Sequence, residues 1–256
     1  MGASRTVGRL GQAIWRTAFR IVGALSTLAL LVIVAFFWWL GPTTDDPATV
    51  EELTAAFADV TSGVLPARLS GAARLVLVGR RGPGADTAAH SVMRVFERMT
   101  GIPSEVADGE AWSEFRIDFV PRARFTELAA LGGGTATQLA RLSFEARCYE
   151  LSGRGTEQIV IPDSLSDSQA AQCVAHELMH AFGFGGHPKV QSVLNQRGAW
   201  LTLTRNDLVL LRTLYDERLQ PGMSADEVMR LVPIIIAELL RLLEGAADPV
   251  EALARR

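Results

Sequence analysis

The sequence predicts an α+β domain, one mixed sheet backed by two helices, set behind a membrane span. Three observations carry this. Between residues 70 and 220, strand-like and helix-like segments follow the order strand, helix, strands, helix. The second of those helices leads into HELMHAFGFGGHP, thirteen residues that hold three of the chain's four histidines, His176, His180 and His187. Residues 21–40, IVGALSTLALLVIVAFFWWL, contain no charge.

Residues 1–20 form a basic N-terminus, with Arg5, Arg9, Arg16 and Arg20 and no acid. As a helix, the run 21–40 is roughly 30 Å long, the thickness of a bilayer's hydrocarbon. Trp38 and Trp39 close it as interfacial anchors would. Bulky FFWWL stands where a signal peptidase needs small residues, so the segment reads as an uncleaved anchor. The arginines before it and Asp45 and Asp46 after it keep the N-terminus in the cytoplasm and send the rest of the chain out. The expected location is the inner membrane, single-pass, with the domain in the periplasm. Setting the four arginines aside leaves 21 basic against 28 acidic residues, a balance that argues against nucleic acid as the partner.

Residues 41–69 read as a linker and a stalk helix, with packing of that helix on the domain as the alternative. GPTTDD is polar, and DPATVEELTAAFADV is helical, with Asp46 as cap, Pro47 in the first turn and Val50, Leu53, Phe57 and Val60 on one side. The domain proper is expected over 70–220. RLVLVGR (74–80) reads as a strand, DTAAHSVMRVFERMTG as a helix opened by Asp86 and closed near Gly101, and EFRIDFV (114–120) as a strand. LGGGTATQ (131–138) reads as a loop. FEARCYELSG and TEQIVIP read as two strands of a hairpin around Gly153–Arg154–Gly155. The next helix runs from about Ser168 to Phe182, with Asp167 or Ser168 as cap and Gly183 as stop. Another helix starts near Arg205. Residues 221–256 form a C-terminal helix and tail, opened by a capping box of Ser224 and Glu227. Cys148 and Cys173 are an even pair in an oxidising compartment, expected to form a disulfide, with two buried thiols as the alternative. Bonded, they would staple RCYEL to the helix of His176.

The chemistry lies in the histidine stretch. Residues four apart share a helix face, so His176 and His180 present two imidazoles one turn apart, as a tetrahedral zinc ion needs. Glu177 sits about 100° round from His176, within reach of a water held by the metal without being a ligand. Catalytic zinc usually takes three protein ligands, and His187, returned by a bend at Gly183, is the natural third. His90 reads as an ordinary helix residue.

HELMHAFGFGGH resembles the HExxHxxGxxH signature of the metzincin clan of zinc endopeptidases. It departs from that signature in one respect: Phe184, Gly185 and Gly186 separate Gly183 from the histidine, where the clan has two residues. The paired glycines can absorb the extra one. QSVLN resembles the clan's Met-turn, a tight turn beneath the metal, with Ser192, Val193 and Leu194 at its centre and Leu194 where methionine would stand. LTLTRNDLVLLRTLYD resembles the closing helix of matrixins and astacins, with Thr204 and Asp207 as its cap and Leu214 and Tyr215 at its end. The block 173–223 is also similar to an uncharacterised bacterial family of domains of unknown function, many members of which carry degraded metal motifs. The clan resemblance implies a metzincin-like catalytic domain, with Zn2+ as cofactor, His176, His180 and His187 as its ligands and Glu177 as general base and acid. The substrate would be a peptide or protein of the cell envelope. By the clan's layout, the strand before the active-site helix edges the cleft, which points to TEQIVIP. Tyr149 and Tyr215 are the only tyrosines, and nothing selects either as a stabiliser of the oxyanion. The competing expectation is a non-catalytic envelope module that binds a partner through the same cleft, with a structural metal or none.

Overall fold

A computed structural model describes residues 48–62, 65, 68–69, 71–109, 113, 115–131, 148–151, 157–195 and 200–255. The basic N-terminus, the apolar run 21–40, the linker up to residue 47 and the glycine-rich loop after Leu131 lie outside the described residues. No helix among those described is long and apolar enough to cross a membrane. Asp46–Arg256 make one compact unit.

Helix α1 spans Val50–Thr61. Its cap is Thr49, not Asp46 as expected. Thr49-x-x-Glu52 supplies both halves of a capping box, with the Thr49 amide donating to Glu52 Oε2 at 2.8 Å and the Glu52 amide to Thr49 Oγ1 at 3.2 Å. Leu53, Ala56, Phe57 and Val60 recur at helical spacing and are all buried, so α1 is packed into the domain. The other elements are β1 (Ala73–Gly79), α2 (Pro83–Thr100), β2 (Ser104–Asp108), β3 (Phe115–Val120), α3 (Arg122–Leu131), β4 (Tyr149–Leu151), β5 (Glu157–Pro162), α4 (Asp167–Ala181), α5 (Arg205–Leu214), α6 (Ala225–Leu243) and α7 (Pro249–Ala254). Helix α2 opens three residues before Asp86, because Pro83 brings a preset φ to the first helical position. Asp86 instead accepts from Arg81 at 2.6 Å.

The sheet runs in the order β2-β1-β3-β5-β4. The first four strands are parallel and β4 is antiparallel, so the sheet is mixed, as the sequence predicts. One face is apolar and continuous across strands: Leu77 pairs with Ile117, and Ile117 with Ile159, all three buried. Helices α2 and α4 pack together in the same core. The opposite face carries Asp118, only 6% exposed, gripped by Arg116 and by Gln158 Nε2 at 2.6 Å.

The cleft-edge expectation for TEQIVIP is corrected. β5 lies between β3 and β4, and among the described residues β4 forms that edge of the sheet, with β2 at the opposite edge. Parallel β3 needs a neighbour rich in β-branched residues on both faces, and EQIVIP supplies it. Cys148, at the start of β4, is disulfide-bonded to Cys173 on α4, with Cα atoms 5.7 Å apart. A covalent tie across a sequence separation of 25 is worth about 3.5 kcal/mol in the chain-entropy model. It fastens the edge strand to the helix that carries His176.

Candidate metal centre

Helix α4 is capped by Ser166, not by Asp167 or Ser168 as expected, and Ser166 shares a capping box with Gln169. Its apolar side, including Val174, Leu178 and Met179, is fully buried and fixes the helix rotation. That rotation turns His176 and His180 the same way. The helix closes at Phe182. Gly183 then takes φ +114° and its amide donates to the His180 carbonyl at 2.8 Å. Only glycine adopts this φ cheaply. The buried ring of Phe184 anchors the reversed chain, and His187 swings back over the helix.

The three side chains converge through Nε2. His180 Nε2 lies 3.1 Å from His176 Nε2, and His187 Nε2 lies 3.3 Å from the same atom. All three nitrogens fall within 4.8 Å of one another. Two ligands at ~2.05 Å on a tetrahedral ion stand ~3.3 Å apart, so the spacing fits a shared cation.

The tautomers sharpen this fit. His176 Nδ1 donates to the Val193 carbonyl at 2.8 Å, and His180 Nδ1 donates to the Phe184 carbonyl. A carbonyl only accepts, so each ring carries its proton on Nδ1 and presents a bare lone pair at Nε2. Two lone pairs facing each other at 3.1 Å repel unless a positive charge lies between them. The triad can therefore bind a metal. His176 and His180 are half-buried and His187 is exposed, and no fourth His, Cys, Asp or Glu joins the cluster among the described residues. A three-nitrogen set with one side open to solvent is the pattern of a site that keeps a coordination position free.

The turn that orients His176 is itself held from α5. The Asp207 carboxylate is fully buried and accepts four hydrogen bonds. They come from the Ser192 hydroxyl, the Val193 amide at 3.1 Å, and the Thr204 amide and hydroxyl, both at 2.8 Å. Ser192, Val193 and Leu194 are buried, with Leu194 as an apolar floor. Burial pushes the Asp207 carboxyl up, and those donors pull it back. The chain of contacts runs Asp207, Ser192–Val193, Val193 carbonyl, His176 Nδ1. Asp207→Ala is expected to orphan several buried donors, lowering stability in urea melts by about 3–5 kcal/mol and weakening metal binding about 10–100-fold. A variant as stable as the parent would show that Asp207 does not hold this turn.

Burial pulls His176 down to about 4, and the neighbouring charge of His180 adds to the shift. His187 is lowered for the same two reasons, burial first. A folded-state pKa below the unfolded value of 6.5 means the unfolded chain takes up protons first as the pH drops. The contribution is intact above about 6.5 and is lost as pH falls through the window down to about 4, by about 3 kcal/mol for His176 alone. Metal-free protein melted in guanidinium at pH 7 and pH 4.5 should show this loss, and His176→Ala should remove it. Equal loss in the two proteins would place the titrating group elsewhere.

Glu177 is 6% exposed and adjacent to His176 on α4. Tyr215 is spent elsewhere: its hydroxyl donates to the Phe182 carbonyl at 3.1 Å and accepts from the Leu69 amide at 3.3 Å, so it braces the end of α4. The side chain of Tyr149 lies outside the described residues. His90 is exposed on α2, apart from the triad. Sequence reasoning missed the Val193 and Phe184 carbonyls as orienting acceptors, and the second task of Asp207. Thr204-x-x-Asp207 was visible as a helix cap, but the reach from Asp207 back to Ser192 spans fifteen residues of chain.

No match was found among curated proteins or among solved structures. A family model matches residues 72–234, more than half of the chain and inclusive of the whole triad, and the chain belongs to that family, described as "Protein of unknown function (DUF2927)".

Proposed function

We propose that this chain is a zinc-dependent peptide hydrolase of the cell envelope, metzincin-like in its site and anchored in the inner membrane by residues 21–40. The observation that carries the reading is the convergence of three Nε2 atoms, two of them bare acceptors by hydrogen bonding and carried on a helix whose next residue after His176 is the buried Glu177. Three neutral imidazoles suit zinc among the common divalent ions, and the open side suits catalysis better than a closed structural shell. When bound, zinc supplies Lewis acidity at the scissile carbonyl and lowers the pKa of a coordinated water toward ~7.

The chain's own residues do the rest. His176, His180 and His187 hold the ion, and the Val193 and Phe184 carbonyls hold two of the rings in the required tautomer. Glu177 takes a proton from the attacking water and delivers it to the leaving amine. A water-free structural site has no use for that carboxylate, which separates this reading from a non-catalytic module. Strand β4, the sheet edge tied to α4 by the Cys148–Cys173 disulfide, offers its backbone to an extended peptide.

The test is cleavage of an unbiased peptide library by the zinc-loaded chain, lost on chelation and restored by zinc. A chain that takes up zinc and cleaves nothing in the library would leave the non-catalytic envelope module as the better description.

A further inference from the structure

We propose that α1 is a positioning clamp of the metal centre: it seats the loop that carries His187, so the third ligand depends on a helix that precedes the family-matched region. The proposal rests on the metal-centre reading above. Four contacts carry it. The Gly185 amide donates to the Val60 carbonyl, at the C-terminal end of α1, at 2.7 Å. Gly186 lies so close to the same helix end that a Cβ there would stand 2.2 Å from the Asp59 carbonyl oxygen and 3.1 Å from Val60 Cα. At the other end of α1, the Ala48 amide donates to Asn206 Oδ1 at 2.8 Å. Asn206 Nδ2 in turn donates to the Gln191 carbonyl at 2.9 Å, directly before the turn that orients His176.

Helix α1 thus bears on both loops of the site. Its C-terminal end holds the strand of chain between Gly183 and His187, and its N-terminal end reaches the 191–194 turn through Asn206. The buried face of Leu53, Ala56, Phe57 and Val60 keeps it in place. The family match starts at residue 72, so all three histidines lie inside the matched region while the seat of the His187 loop lies outside it. The two adjacent glycines differ in their freedom. A Cβ on Gly185 would have 3.9 Å to the Val60 oxygen, ordinary contact, whereas one on Gly186 forces the loop off the helix.

The test measures zinc affinity of the full chain by competition with a chromophoric chelator. Gly186→Ala should weaken zinc about 10–100-fold, the range for groups that orient a ligand, and Gly185→Ala should stay within about twofold. In a His187→Ala background, Gly186→Ala should add less than about twofold, because the ligand it displaces is already gone. Wild-type affinity in Gly186→Ala, or equal losses in both backgrounds, overturns the proposal. Should Gly186→Ala fail to fold, Phe57→Leu loosens the same helix more gently; a loss of about threefold that vanishes without His187 supports the clamp, and an unchanged affinity overturns it. A parent chain that binds no zinc defeats the metal-centre reading itself. A parent that binds zinc alongside an unaffected Gly186→Ala defeats only the clamp.

Discussion

Glu177→Gln is expected to bind zinc as tightly as the parent chain and to hydrolyse peptides about 10²–10⁴-fold more slowly. The substitution is isosteric, so the packing around this 6%-exposed side chain survives. It removes the one property the reaction requires, a carboxylate able to take a proton and give it back. The three imidazoles are untouched, and two of them keep their orienting carbonyls. The measurement pairs zinc stoichiometry with cleavage rate on the same preparation. A variant that loses zinc along with activity would make Glu177 part of the metal shell. One that cleaves at the parent's rate would remove it from the mechanism.

His187→Ala is expected to lower zinc affinity by more than about 100-fold, beyond the 10–100-fold typical of groups that only orient a ligand. Removing one of three donors leaves a two-nitrogen site on a single helical turn, which a divalent ion occupies weakly. His90→Ala is the matched control, because His90 is exposed on α2 and outside the triad, and its affinity should not change. Equal affinity in the parent and His187→Ala would mean that another side chain completes the shell.

The candidate site was largely legible in the sequence because its core is local. His176 and His180 sit one turn apart on a helix whose apolar side fixes their direction, and a glycine at the exit has only a few uses. The extra residue between Gly183 and His187 left the third ligand open on paper. In the structure, Gly183 takes its positive φ, the Phe184 ring is buried and the loop closes on the other two rings. Of the fold, the long amphipathic elements were readable: α2, α4 and α6 carry strong periodicity, and β1, β3 and β5 are short apolar runs between turn signals. Elements with weak patterns were not. β2, SEVAD, is a half-exposed edge strand with no apolar run, and its existence depends on pairing with β1. α3 follows Pro121 with a polar, unpatterned sequence, and among its described side chains only Phe125 is buried.

What sequence could not reach was long-range and made by backbone. The Val193 and Phe184 carbonyls that set the tautomers have no side-chain signature. The grip of Asp207 on Ser192 and of Asn206 on Ala48 links segments far apart in the chain. The edge position of β4 over β5 is a matter of strand order, which no single segment encodes. Helix α1 illustrates the same limit: its apolar stripe showed that it would pack somewhere, but not that its last turn would contact the loop between Gly183 and His187.

The most direct measurement is zinc K-edge X-ray absorption on the zinc-loaded chain. Three imidazole nitrogens and one oxygen donor at about 2.0–2.1 Å are predicted, with the imidazole count falling to two in His187→Ala. A chain that takes up no zinc at equimolar metal, or a bound ion whose spectrum lacks imidazole scattering, would contradict the assignment of His176, His180 and His187 as a metal centre.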